Sequence, residues 1–255
     1  MNDARRWHDL MPRVLSGMAL AVAGGAALWL GGWVFALAAC AACGVMIWEA
    51  GRMFGSPSPR TDGALAAVSV ALAWLLPGMF ALPLMGAAAL VGAGRAAHDK
   101  GLCLGLYLWV VLATFGLVVL RDATGFAGMA WLVGVVVASD VAGYFAGRML
   151  GGPRFWPAVS PKKTWSGTLA GWAAAALVGA VFAAGAGGAW LVPVSVAVAL
   201  AGQLGDIGES AVKRRMDVKD SSDLIPGHGG VLDRFDALLG AAVLATIFWS
   251  LGLIF

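Results

Sequence analysis

The feature that most constrains this chain is its succession of apolar runs, each about as long as a bilayer is thick and broken only by short charged or Gly- and Pro-containing stretches. A hydrocarbon core about 30 Å thick takes roughly 20 mostly apolar residues per helix. Reading the runs between breaks gives nine expected spans, at about 14–30, 33–50, 64–76, 78–94, 102–120, 125–147, 166–186, 189–212 and 236–255. The division of the first two at Gly31 and Gly32, and of the third and fourth at Pro77 and Gly78, rests on length as much as on the breakers, so eight spans also fit. Membrane-barrel strands would alternate apolar and polar residues, whereas 133–137 and 173–178 are apolar on every side. The expected fold is all-α, a polytopic integral membrane protein forming a single membrane domain over 1–255. Its N-terminal spans cover about 14–120 and a motif-bearing region covers about 125–255.

Charge placement tests this layout independently, because cytoplasmic loops collect Lys and Arg. Only 12% of the 255 residues are charged, against about a quarter in soluble domains. Assigning the N-terminus and every second loop to one side gives that side Arg5, Arg6, Arg13, Arg52, Arg60, Arg95, Lys100, Arg148, Arg154, Lys162 and Lys163. It also receives Lys213, Arg214, Arg215, Lys219 and Arg234, leaving Arg121 alone of the 17 basic residues for the opposite side. The N-terminus is therefore expected in the cytoplasm and the C-terminus outside, with membrane lipids as surroundings; a bacterial cytoplasmic (inner) membrane is the expected location, though the charges alone do not show it. The net charge of +3 adds nothing beyond this asymmetry, and no nucleic-acid partner is expected. The first apolar run is too long for a cleaved signal and reads as a span. Cys40, Cys43 and Cys103 all lie in apolar stretches and read as small apolar residues, despite the CxxC spacing of the first two.

Two cytoplasmic loops, 148–165 and 213–236, are longer than a tight connection requires, and long loops tend to carry function. The second mixes Asp217, Asp220, Asp223, Asp233 and Asp236 with its five basic residues, although a loop that only enforces topology needs no acids. Just before it, Asp206, Glu209, Ser210 and Lys213 fall at i, i+3, i+4 and i+7 of a helix and share one face. A carboxylate near hydrocarbon costs about 2.5 to 3.5 kcal/mol on insertion scales, so Asp206 is expected to face protein, water or a cation. Asp140, one helical turn from Tyr144, is a candidate on the same ground, whereas Glu49 reads as an interfacial residue. Pro226-Gly227-His228-Gly229-Gly230 lets backbone approach a ligand closely, and N–H groups of such turns hold phosphate. Asp233 and Asp236, spaced i, i+3, offer hard oxygens suited to Mg2+ or merely complement a helix start. Ser160-Pro161-Lys162-Lys163-Thr164-Trp165 supplies cations and hydroxyls for phosphate, or cations that only set topology. Acidic clusters beside several cations, with no apparent Ser-His-Asp or Cys-His arrangement, point to phosphoryl or nucleotidyl transfer, which asks chiefly for positioning and charge neutralisation.

The run Ser210-Ala-Val-Lys213-Arg214, then Lys219-Asp220, Ser222, Ile225-Pro226-Gly227-His228-Gly229-Gly230 and Asp233-Arg234-Phe235-Asp236 resembles the signature of the phosphatidate cytidylyltransferases. Ser139-Asp140, Tyr144, Gly147 and the 160–165 run are similar to two further family segments, while Ser166 departs from the Glu common there. The motifs cover about 139–236, and the N-terminal spans match in hydrophobic character alone.

The resemblance implies that CTP and phosphatidate give CDP-diacylglycerol and pyrophosphate, with Mg2+ required, a second cation allowed and a homodimer as partner state. It implies Asp206 and Asp233 as metal ligands, with Asp236 close by, and Lys213 as a phosphate-binding cation. His228 is either a proton or hydrogen-bond donor or a structural turn residue. Ser160, Lys162, Lys163, Thr164, Ser210, Arg214, Lys219, Gly229, Gly230 and Arg234 form the expected phosphate-binding set, with Asp140, Tyr144, Glu209 and Asp220 as further candidates. A CTP-dependent kinase of a polyprenol-type lipid is the runner-up. A transporter using Asp140 and Asp206 as ion sites leaves the Lys-Asp and His-Gly-Gly loop unexplained.

Overall fold

The computed structural model describes residues 3–157, 159–184 and 188–255, with side chains from Val14 onward except that of Pro161. The basic side chains of Arg5, Arg6 and Arg13 and the end of the span expected at 166–186 thus lie outside the described residues. The helices are α1 (Asp3–Leu30), α2 (Gly32–Met53), α3 (Pro59–Leu75), α4 (Ala81–Arg95), α5 (Lys100–Leu150), α6 (Trp165–Phe182), α7 (Leu191–Arg215) and α8 (Leu232–Ser250). A single 3-10 turn, Gly78–Phe80, leads into α4. Among the described residues, five helical segments, Gly32–Met53, Gly78–Arg95, Lys100–Leu150, Trp165–Phe182 and Leu191–Arg215, are long and apolar enough to cross a membrane by length and composition. The protein is an integral membrane protein of all-α class.

At 51 residues, α5 would reach about 77 Å, far more than a bilayer needs. Its helical geometry breaks at Gly125, whose φ of 66° and ψ of −159° suit glycine. Residues 121–124, expected as the connection between two spans, stay helical, and the break falls at Gly125, where the next span was expected to begin. A second correction concerns 148–165, expected as a loop. It contains an antiparallel hairpin of β1 (Arg154–Trp156) and β2 (Ser160–Thr164), with Arg154 opposite Thr164.

The chain divides into two compact units. Unit 1 comprises 1–118 and 216–235, and unit 2 comprises 119–215 and 236–255. In unit 1, Met46, Ile47, Phe54, Met85 and Tyr107 are fully buried. Glycines let its helices touch: a Cβ on Gly44 would stand 3.1 Å from the Gly63 carbonyl. The buried Asp62 accepts a 2.8 Å bond from Arg95 and a 2.5 Å bond from Ser56. In unit 2, Trp131, Leu132, Leu191 and Leu239 fill the core. The Trp131 indole N–H, which must find an acceptor once buried, donates to Ser195 Oγ at 2.8 Å.

Candidate active site

Unit 2 builds a pocket of about 460 Å3. α5 lines it with Ser139, Asp140, Gly143, Tyr144, Gly147 and Arg148, β2 with Lys162, Lys163 and Thr164, α6 with Gly167 and Thr168, and α7 with Gln203 and Asp206. Small residues bring these walls together. A Cβ on Gly167 would lie 2.6 Å from the Gly143 carbonyl, and one on Gly171 would lie 2.7 Å from Ser139 Oγ and 2.9 Å from Gln203 Nε2. Thr164 ends the hairpin and caps α6, its Oγ1 accepting the Gly167 N–H at 3.2 Å. The Ser166 hydroxyl donates to the Gly151 carbonyl and lies 3.0 Å from Thr164 Oγ1, tying the hairpin to the end of α5.

The central contact is an ion pair, Lys163 Nζ to Asp206 Oδ2, at 2.6 Å. Lys163 also donates to the Gln203 carbonyl at 3.2 Å. The Gln203 side chain is held at both ends, accepting from Trp172 Nε1 at 3.1 Å and donating to Ser139 Oγ at 3.2 Å. Both partners of the pair are partly exposed, so it adds little stability by itself and is free to exchange for other ions. Lys162 is exposed along the same wall. Arg148 donates to the Tyr144 hydroxyl at 2.8 Å and lies over its ring. The charge of Asp206 acts on both Asp140 and Asp236.

The face expected on α7 forms as two i, i+4 pairs. Ser210 Oγ donates to Asp206 Oδ1 at a long 3.4 Å, and Lys213 pairs with the fully buried Glu209 at 2.6 Å. Lys213, expected as a phosphate ligand, is itself buried, and its charge reaches Asp236. Ser160 starts β2 opposite Trp156, Arg214 is exposed in the last turn of α7, and neither lines the pocket.

In unit 1 the 216–235 segment is organised largely by two carboxylates. Asp233 accepts the N–H of Ser221 (2.9 Å), the hydroxyl of Ser221 (3.0 Å) and the N–H of Gly230 (2.7 Å). Gly227 and Gly229 have φ of 73° and 81°, and the turn closes through Ile225 N–H to the Gly229 carbonyl at 2.8 Å. His228 is tied back to α1, its Nδ1 lying 2.8 Å from Ser16 Oγ. Arg234 donates twice to the His228 carbonyl, at 2.8 and 2.6 Å. Lys219 and Asp220 are exposed on this segment.

Glu49 is not interfacial: it is completely buried and bound to this same segment. No hydrophobic pattern marks such a residue, whose partners lie more than 170 positions away. In the pocket, Gln203, Gly143 and Thr168 were not singled out in the sequence, and Arg148 was read only as a topology-setting charge. An amide one turn before Asp206 in an apolar span is the signal that would have found Gln203.

No three His, Cys, Asp or Glu side chains cluster closely enough among the described residues to cage a metal alone. The donor set still suits Mg2+, which keeps several waters and commonly takes only one or two carboxylates beside substrate phosphates. Asp206 and Asp236 offer such oxygens.

Fold and site define a helical integral membrane protein with a charged, glycine-walled pocket that presents cations and carboxylates together. The sequence model of the cytidylyltransferase family matches residues 11–251, and the chain belongs to that family. It is 48% identical over 131 residues to the phosphatidate cytidylyltransferase of Brucella suis biovar 1 (strain 1330), covering 50% of this chain and 48% of that protein. Identity to the phosphatidate cytidylyltransferase of Helicobacter pylori (strain ATCC 700392 / 26695) is 39% over 160 residues, 61% of this chain and 59% of the relative. To that of Mycobacterium bovis (strain ATCC BAA-935 / AF2122/97) it is 36% over 163 residues, 62% and 53%. The chain spans about half the length of the curated relatives it matches.

Proposed function

We propose that the protein transfers CMP from CTP to phosphatidate, giving CDP-diacylglycerol and pyrophosphate at the cytoplasmic face of a bacterial inner membrane. The observation that carries this reading is the exchangeable Lys163–Asp206 pair inside the unit 2 pocket. A magnesium nucleotide would bring both opposite charges, so Lys163 could hold phosphate oxygens and Asp206 could hold the metal in place of one another. Family membership and the names of the relatives support the choice of substrates.

The lipid phosphate already bears a nucleophilic oxygen, so the reaction needs no strong base. That oxygen attacks the α-phosphorus of CTP, the bond between the α-phosphorus and the bridging oxygen breaks, and pyrophosphate leaves. Lys162 and Lys163 would hold phosphate oxygens, and Asp206 and Asp236 would hold Mg2+. An ion held there would supply neutralisation of the charge growing on nonbridging oxygens and on the leaving group. Gln203 keeps Lys163 aimed into the pocket. The acyl chains stay in the bilayer while the head group enters from the side. Nine crossings with the N-terminus inside, and a homodimer, complete the proposal.

One experiment tests both chemistry and sidedness. Inverted and right-side-out vesicles receive phosphatidate, Mg2+ and CTP labelled at either its α- or its γ-phosphorus. The α-label is expected in lipid and the γ-label in pyrophosphate, in inverted vesicles alone. A γ-labelled lipid would identify a kinase instead, and activity confined to right-side-out vesicles would overturn the assigned face.

A further inference from the structure

We propose that Glu49 is a positioning residue that staples the two ends of the 216–235 segment together and so sets the shape in which this segment serves the reaction proposed above. Glu49 sits in the last turns of α2 and has no exposed surface. Its Oε1 accepts the Ser222 hydroxyl at 2.6 Å and the Val231 N–H at 2.9 Å. Its Oε2 accepts the Leu232 N–H at 2.8 Å and lies 3.3 Å from the Ser221 hydroxyl. Every one of these donors belongs to the 216–235 segment, and none is a cation.

A buried carboxylate without a cation is tolerable only when such hydrogen bonds replace its water. The donors come from both ends of a turn: Ser221 and Ser222 precede it, Val231 and Leu232 follow it. Between them lie His228 and Gly229. Asp233 binds the same two ends from its own side, through Ser221 and Gly230. The Ser221 hydroxyl has one proton and two carboxylate neighbours, 3.0 Å from Asp233 and 3.3 Å from Glu49, so it can donate fully to only one of them. A side chain at Gly230 has no room, since a Cβ there would collide with Ser221 Oγ and stand 2.6 Å from Glu49 Oε1. A carboxylate is acceptor-only, and that is what four converging donors require. A glutamine keeps the volume but turns an N–H2 group toward N–H or O–H donors.

The test uses full-length protein in detergent and reads hydrogen exchange separately from catalysis. In Glu49→Gln, amides of 219–234 should exchange at least tenfold faster, with helices α3 and α4 unchanged, and kcat/KM for CTP should fall about 10- to 100-fold. Unchanged exchange in 219–234 overturns the proposal, as does faster exchange with wild-type kcat and KM. If Glu49→Gln does not accumulate, Ser222→Ala, which removes one donor to Oε1, must show the same pattern at smaller size, and wild-type behaviour there counts against the idea. Should the wild-type protein transfer no CMP, the proposed function fails, while the exchange result still decides whether Glu49 holds the segment.

Discussion

Asp206→Asn and Asp236→Asn are each expected to lower the proposed CDP-lipid formation by about 10²- to 10³-fold while leaving the detergent-extracted yield near wild type. The substitution keeps shape and removes a carboxylate that, in the proposed function, would help hold the ion that neutralises transition-state charge. Losing such electrostatic stabilisation costs about 3 to 4 kcal/mol, which is that factor in rate. Because Asp236 feels the charge of Asp206, the two act as neighbours, and the double variant should be little worse than either single one. Asp217→Asn is the control. Asp217 is exposed, with a φ of 54° that Asn also tolerates, and it should be nearly silent. Titration of Mg2+ across these proteins checks the result, and near wild-type rates at saturating Mg2+ would remove the altered residue from the site. Asp233 is a poorer probe. Its oxygens already hold Ser221 and Gly230, so its replacement mixes loss of charge with loss of loop shape.

The second large effect is on stability. Gly205→Val should strongly destabilise the folded protein, because a Cβ at 205 would lie 2.6 Å from the Asp236 carbonyl and 3.0 Å from Gly240 Cα. Those obstacles are backbone atoms and cannot rotate away, so α7 and α8 must separate. Overpacking typically costs about 1–3 kcal/mol, and a valine against main chain at two points belongs at or beyond the top of that range. Gly208→Ala, one turn along the same helix, meets nothing within 4 Å and should be neutral or stabilising by up to about 1 kcal/mol. Thermal unfolding midpoints in detergent check the pair. A Gly205→Val protein that melts like wild type would mean that the α7–α8 contact is not as close as described.

Much of this architecture was legible in the chain because a bilayer leaves so few ways to satisfy backbone groups. Apolar length alone located the helices, and Asp140, Tyr144, Lys162, Lys163, Thr164 and Asp206 were expected at the site and meet in one pocket. What failed did so for identifiable reasons. Arg121 looked like a span end, but a charged residue can continue a helix, and the break needed the positive φ of Gly125. The hairpin at 154–164 was hidden because Pro161 and two lysines carry little strand propensity, so pairing with 154–156 is a tertiary choice. Glu49 looked interfacial because position along a span says nothing about which distant donors reach it. The shared face of Glu209 and Lys213 was legible from their spacing, whereas the burial of their ion pair was not, since it depends on packing that spacing does not reveal.

The account rests on the unit 2 pocket being where the nucleotide phosphates bind. Tyr144→Cys places a thiol in its wall, in a protein whose own Cys40, Cys43 and Cys103 are buried. The direct measurement is the rate at which a maleimide labels that thiol, with and without magnesium CTP. At CTP about tenfold above its dissociation constant, labelling should slow by roughly tenfold by mass action, and adding Lys163→Met should remove the protection. Equal labelling rates with and without CTP, at concentrations the wild-type protein turns over, would place the nucleotide elsewhere and contradict the account.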